Sequence, residues 1–203
     1  NQIMQIKTKW ILGVFMMVFL FLALFWRWLH SPLPQYVGEK KLPPLQKKVD
    51  VYTDRFGVPH VFAENEKDLF FSAGYIAARE RLFQLSMVAL AVKGELASVL
   101  GESYLKTDIY LRTWRIKKVA IELVRNMTPE NKEIFESFCA GINYWIQESK
   151  KDLPLEFKIL GMEPPLWDPV IVAGYTRMMA HEMSGSWKPE IVFGAVLEYF
   201  GEE

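Results

Sequence analysis

The stretch TDRFGVPHVFAENEKDLFFSAGYIAARERLFQ, Thr53 to Gln84, changes its period part-way along. It opens as a turn between two short strand-like runs. VDVYTD alternates Val49, Val51 and Thr53 with polar neighbours, RFG supplies the turn, and VPHVFAE makes a second run whose Pro59 suits a strand start or edge. From Leu69 the spacing becomes helical. Leu69, Ala73, Ile76, Glu80, Phe83, Met87 and Leu90 fall at alternating steps of four and three, an apolar stripe with one acid in it. Glu80 is read as structural, paired with a nearby arginine. Gly94 and Gly101 punctuate the end of the run.

Outward from this stretch, further helices announce themselves by their caps. Thr128 followed by Pro129 reads as an N-cap and first helical position, with a stripe of Ile134, Phe135, Phe138, Cys139, Ile142, Trp145 and Ile146. LPLEFKILGMEPPLWDP, Leu153 to Pro169, reads as a proline-rich connection, and Asp168 then caps another helix. WKP, Trp187 to Pro189, is expected to break that helix, and a last one is expected from Glu190 to Phe200. No element is assigned between Gly101 and Thr128. One strand pair with four or five helices is a sheet barely begun, since two strands with a solvated edge are marginal alone.

The 203 residues are 51% hydrophobic and 14% aromatic, enough for one domain with a real core. Formal net charge is zero, so the chain lacks the basic field that nucleic acid demands, and no nucleic-acid partner is expected. The lone Cys139 cannot close an internal disulfide and reads as a small buried hydrophobe.

The N-terminus divides the chain further. Residues 1–9 form a tail, and Trp10 to Trp26 run 17 residues without a charge. Residues 10–29 therefore read as a single-pass transmembrane anchor into a lipid bilayer, with Trp10, Trp26 and Trp28 at its interfaces. A cleaved signal peptide is the competing reading, but no small-residue cleavage site follows. Basic residues flank both ends of the run, so charge leaves the orientation open. Residues 30–48, with four prolines and four lysines, read as a linker, and 49–203 as the folded domain.

Catalytic motifs are scarce. GELASVLGES lacks the lysine of a phosphate-binding loop, and His181-Glu182 is followed by Gly185 where a zinc peptidase needs its second histidine. No G-x-S-x-G elbow occurs. His60 reads as a strand imidazole bonded to backbone.

DRFGVPHVFAENEKDLFFSAGYIAARERLFQL, KGELASVLG, FCAGINYWI and LPLEFKILGMEPPLWDP, in this order, resemble the penicillin acylase family of the N-terminal nucleophile hydrolase superfamily. The resemblance covers roughly residues 48–200. It implies an α+β fold: a mainly helical α chain contributing strands to an αββα sandwich completed by a separate β chain, with one transmembrane helix added here. Such precursors cut themselves, and the new N-terminal Ser, Thr or Cys of the β chain is the nucleophile. The catalytic residues are thus expected outside this chain, whose last residue of that type is Ser186.

The resemblance also implies what this chain contributes. Met179 and Met183, one turn apart, with Glu182 between them, align with the family's acyl-binding helix, and core packing is the competing reading for the methionines. Glu190 matches the α-chain ligand of a structural Ca2+ shared with the β chain. As an acid in a helix's first turn it is also favoured by the helix dipole alone. The expected activity is hydrolysis of the amide bond of small acylated substrates, such as penicillins or acyl-homoserine lactones. The place expected is the outer, periplasmic side of a bacterial cytoplasmic membrane. The alternative is a non-catalytic acylase-like subunit docked by its helix into a larger membrane complex.

Overall fold

The computed structural model describes residues 2–30, 36–185 and 187–201, with only the backbone described at 2–9, 11, 12, 14, 29, 30, 187 and 188. A hairpin leads into the body. Strands β1 (Asp50–Thr53) and β2 (Pro59–Phe62) pair antiparallel, Asp50 opposite Phe62 and Thr53 opposite Pro59. Asp54 organises the turn. Its Oδ1 accepts the backbone N–H groups of Phe56 and Val58, and its Oδ2 lies 3.3 Å from His60 Nε2. These donors, Val58 first, hold the Asp54 carboxyl below its ordinary pKa. His60 thus bonds a carboxylate, where the sequence suggested backbone. Val51, Tyr52 and Phe62 of this two-stranded sheet are exposed.

Asn65 caps the central helix. Its side chain accepts the Asp68 N–H at 2.8 Å, and α1 (Gln2–His30) and α2 (Glu66–Lys93) are the two longest helices described. α2 bends at Arg81, where φ −139° and ψ 32° leave the helical region, and it ends at Gly94 with φ 67° in a left-handed cap. Its expected single stripe is corrected by the packing. Ile76 and Leu90 are buried, but Leu69, Ala73, Phe83 and Met87 are half-buried, while Phe71, Tyr75, Ala78, Leu82 and Ala89 are buried. A helix packed on several sides is apolar around most of its circumference, so no one stripe describes it. Glu80 pairs with Arg79 at 2.8 Å, as the sequence indicated, and also accepts the Tyr36 hydroxyl at 2.9 Å.

α3 (Ala97–Leu100), α4 (Leu105–Thr113) and α5 (Ile116–Arg125) follow, and the last two fill the gap left unassigned. α4 turns into α5 through Arg115 at φ 55°, a left-handed residue without the glycine that normally marks such a corner. α6 (Pro129–Glu148) starts at Thr128 and buries Cys139, Ile142 and Ile146 against α2. α7 (Leu155–Leu160) is a short helix inside the expected proline-rich connection; its Phe157, buried at the end of the core, stacks edge-on against Phe83 with ring centroids 5.8 Å apart. α8 (Pro169–Met183) closes over the C-terminal half of α2. α9 (Trp187–Phe200) begins three residues before Glu190, so Trp187, Lys188 and Pro189 form its first turn. Proline is tolerated there because first-turn N–H groups have no partner in the helix. Ser186 lies outside the described residues.

Cys139 is 3% exposed, and burial pushes its thiol pKa up to about 12. Alkylation by iodoacetamide at neutral pH is therefore expected only after unfolding, and mass spectrometry with and without denaturant checks it. Rapid modification of the folded chain would contradict this packing.

α1 is one continuous helix of 29 residues, and every side chain from 15 to 28 is exposed. Among the described residues no helix is long and apolar enough to cross a membrane. The expected anchor at 10–29 rests in part on Ile11, Leu12, Val14 and Leu29, whose side chains lie outside that set. The linker lies partly outside as well. From 36 to 48 it has no helix or strand, yet it is fastened to the body: Lys40 pairs with Glu148, and Asp68 accepts the N–H groups of Gln46 and Lys47.

Candidate functional site

Three local devices fix α8. Asp168 Oδ1 accepts the Ile171 N–H at 3.0 Å, and Pro169 occupies the first position. Asn143 of α6 clamps the preceding loop with two 2.8 Å bonds, donating to the Trp167 carbonyl and accepting from the Trp167 N–H. Gly174 lets the helix close on α2, for a Cβ there would lie 2.4 Å from the Val92 side chain. Ile171, Ala173 and Gly174 form the buried face.

The expected site residues lie away from it. Met179 is 44% and Met183 82% exposed, with Glu182 also exposed. Their spacing places them on one side of α8 as an open ridge of two thioethers around a carboxylate. Core packing of these two methionines is thus set aside within this chain, while Met178 next to them does pack inward. Glu190 is exposed in the first turn of α9. A hard cation takes six to eight oxygens, and among the described residues no three His, Cys, Asp or Glu groups could hold a metal. Glu190 alone does not make a calcium site.

The opposite side of α8 carries a cleft of about 360 Å³ lined by Trp114, Arg177, Ala180, His181 and Ser184. His181 Nε2 lies 2.7 Å from the Tyr110 hydroxyl, and its ring lies tilted by 44° against Trp114 with centroids 4.4 Å apart. Ser184 and His181 look like a nucleophile and base but are not joined. Ser184 donates its hydroxyl proton to the His181 carbonyl at 2.8 Å, and the imidazole nitrogen is engaged by Tyr110. The sequence reading did not find this cleft, because Tyr110 and Trp114 stand on the unassigned helix α4 and its corner. Their i, i+4 aromatic spacing was the available clue.

The chain therefore presents an exposed ridge of two methionines and a glutamate, and no nucleophile–base pair among its described residues. The sequence pattern described as penicillin amidase matches residues 48–203. The chain belongs to the penicillin amidase family. It is 30% identical over 159 residues to the penicillin acylase 2 proenzyme of Pseudomonas sp. (strain SE83), covering 78% of this chain and 20% of that protein. To penicillin G acylase of Escherichia coli it is 30% identical over 144 residues, covering 68% of this chain and 17% of that protein. To an acyl-homoserine lactone acylase of Pseudomonas fluorescens (strain Pf0-1) it is 31% identical over 140 residues, covering 69% and 17%. The chain spans a fifth or less of the length of these relatives. Its fold is similar to a solved chain of the thermostable penicillin G acylase from Alcaligenes faecalis, with TM-score 0.62 and 25% identity, covering 76% of this chain and 85% of that one. The family members compared are named as acylases of penicillins or of acyl-homoserine lactones.

Proposed function

We propose that this penicillin amidase family chain is the α subunit of a membrane-anchored, self-processed acylase that hydrolyses the amide bond of small N-acyl compounds. The observation that carries the reading is the ridge of Met179, Glu182 and Met183, fixed on a well-anchored helix yet open to solvent. A second chain would supply the facing wall. The contrast in coverage supports this: the chain fills 85% of one solved acylase chain but a fifth or less of the curated relatives. The exposed edge of the β1–β2 hairpin and the exposed Ile191, Phe193 and Phe200 of α9 offer the same partner further surface.

In this reading the β chain's N-terminal Ser, Thr or Cys attacks the acyl carbonyl. Its own α-amino group, with an ordinary pKa near 8, accepts the proton and returns it to the departing amine. Water then releases the acid from the acyl-enzyme. Met179 and Met183 line the acyl site with adaptable thioethers, and Glu182 opposes acidic acyl groups. Glu190 supplies one carboxylate to a Ca2+ whose other oxygens come from the β chain. The 29-residue α1 anchors the assembly to the cytoplasmic membrane with the body on the outer side.

N-terminal sequencing and intact-mass measurement of the co-purifying chain test the assembly. A partner beginning with Ser, Thr or Cys supports it; an uncut precursor, or a partner with an inert first residue, overturns the enzyme reading. Pocket roles are tested by variants in the assembled enzyme. Met183→Ala is expected to lower kcat/KM for long apolar acyl groups about tenfold. Glu182→Arg is expected to favour acyl groups ending in a carboxylate. Both positions are exposed here, so stability of the isolated chain should move by no more than about 0.5 kcal/mol. An unchanged acyl profile for both variants would remove the ridge from the substrate site.

A further inference from the structure

We propose that the body makes a second contact with lipid through α7, with Ile159 and Leu160 entering the headgroup boundary beside Lys158; this rests on the anchor reading above. The observation is a juxtaposition. Lys158 Nζ lies over the Trp28 ring, 5.4 Å from its centroid, so α7 stands against the end of α1 nearest the body. Trp10 and Trp28 are about 27 Å apart along a helix axis, close to the roughly 30 Å of a hydrocarbon core. With Trp10 at one boundary, Trp28 is at the other, the level that tryptophan prefers. Lys158 is then held at headgroup depth.

α7 is built for two different surroundings. Phe157 is 2% exposed, in the core, whereas Ile159 is 71% exposed. Two residues along a helix are about 200° apart, so these side chains point to opposite sides. An isoleucine this exposed is unremarkable alone. Here its neighbours are Leu160, 39% exposed, and a lysine already stacked on the anchor's tryptophan. Exposed acids Asp152 and Glu156 balance Lys150 and Lys151 nearby, so apolar insertion carries the contact and charge adds little. A lipid surface is the occupant that the adjoining anchor helix brings to this face.

The test uses the full assembly in vesicles of phosphatidylcholine and phosphatidylglycerol with brominated acyl chains. Ile159→Cys carries a bimane label, and Glu130→Cys serves as control at the far end of α6, about 27 Å from Glu148 along the helix. Cys139 is buried and does not compete for the label. Shallow insertion of 5–10 Å predicts that brominated lipid lowers emission about twofold at residue 159 and leaves 130 unchanged. Co-flotation with vesicles but no quenching at 159 overturns the α7 contact while the anchor stands. A blue-shifted label without quenching also overturns it, since a partner chain would then cover Ile159. Failure to float overturns the anchor and this inference together.

Discussion

Gly141→Ala is expected to destabilise the chain by about 3 kcal/mol or more, although alanine is ordinarily the better helix former by about 1 kcal/mol. The reason is how closely α2 and α6 approach. A Cβ at Gly141 would stand 1.9 Å from the Phe71 carbonyl oxygen and 2.7 Å from the Tyr75 nitrogen. At Gly74 it would stand 2.0 Å from the Phe138 carbonyl oxygen. These obstacles are backbone, so no rotamer change relieves them. The helices must separate, and Ile142 and Cys139 lose their packing against α2. Thermal unfolding followed by circular dichroism gives the sign, with Gly194→Ala on α9 as reference. No atom lies within 4 Å of a Cβ built at Gly194, so that variant should be neutral or stabilising. Equal behaviour of the two variants would mean that the helix pair is looser than described.

The glycines that set this crossing show what a sequence discloses and what it hides. FCAGINYWI and DLFFSAGYI both carry a small residue in an apolar helical run, and the helices themselves were legible from period and caps. Thr128, Pro129, Asp168 and Pro169 mark helix starts where the structure has them, because capping is a local matter between a side chain and the next turn. Which face of α2 turns inward is not local. It is decided by α6, α8 and β2 together, and by the bend at Arg81, so a stripe counted from Leu69 drifts off the buried side. α4 and α5 escaped notice because Arg115 takes a left-handed conformation without the glycine that advertises one. At the candidate site the opposite holds. Met179, Glu182 and Met183 could be named only through resemblance, since nothing in their spacing separates an exposed ridge from a core stripe. The cleft at Trp114 and His181 needed three-dimensional neighbours from two helices.

Asp68 is where the second large effect is expected. It is 1% exposed, yet every oxygen is used: Oδ1 accepts the Gln46 N–H at 3.0 Å, and Oδ2 accepts the Lys47 N–H at 2.9 Å and the Asn65 side-chain amide at 2.7 Å. Burial pushes its pKa up, but the bonds from Gln46, Asn65 and Lys47 together outweigh it, and the net shift is downward. A carboxyl with a depressed folded pKa adds stability above its unfolded value, near 3.8, and that stability is lost as pH falls through the lower folded value. Asp68→Asn imitates protonation at any pH, because an amide NH2 then faces one set of donors. At neutral pH it is expected to cost about 2–3 kcal/mol. The deficit should shrink below about pH 4, as the parent's own Asp68 takes up its proton. Tryptic cleavage at Lys47 and Lys48 reports the mechanism, since detaching this segment exposes both bonds to the protease. Faster cleavage in the variant at neutral pH is the expected pattern, and thermal unfolding of both proteins from pH 7 down to about 3 follows the narrowing of the difference. Equal cleavage would place the loss elsewhere in α2 and leave the segment from 36 to 48 held by Lys40–Glu148 and Tyr36–Glu80.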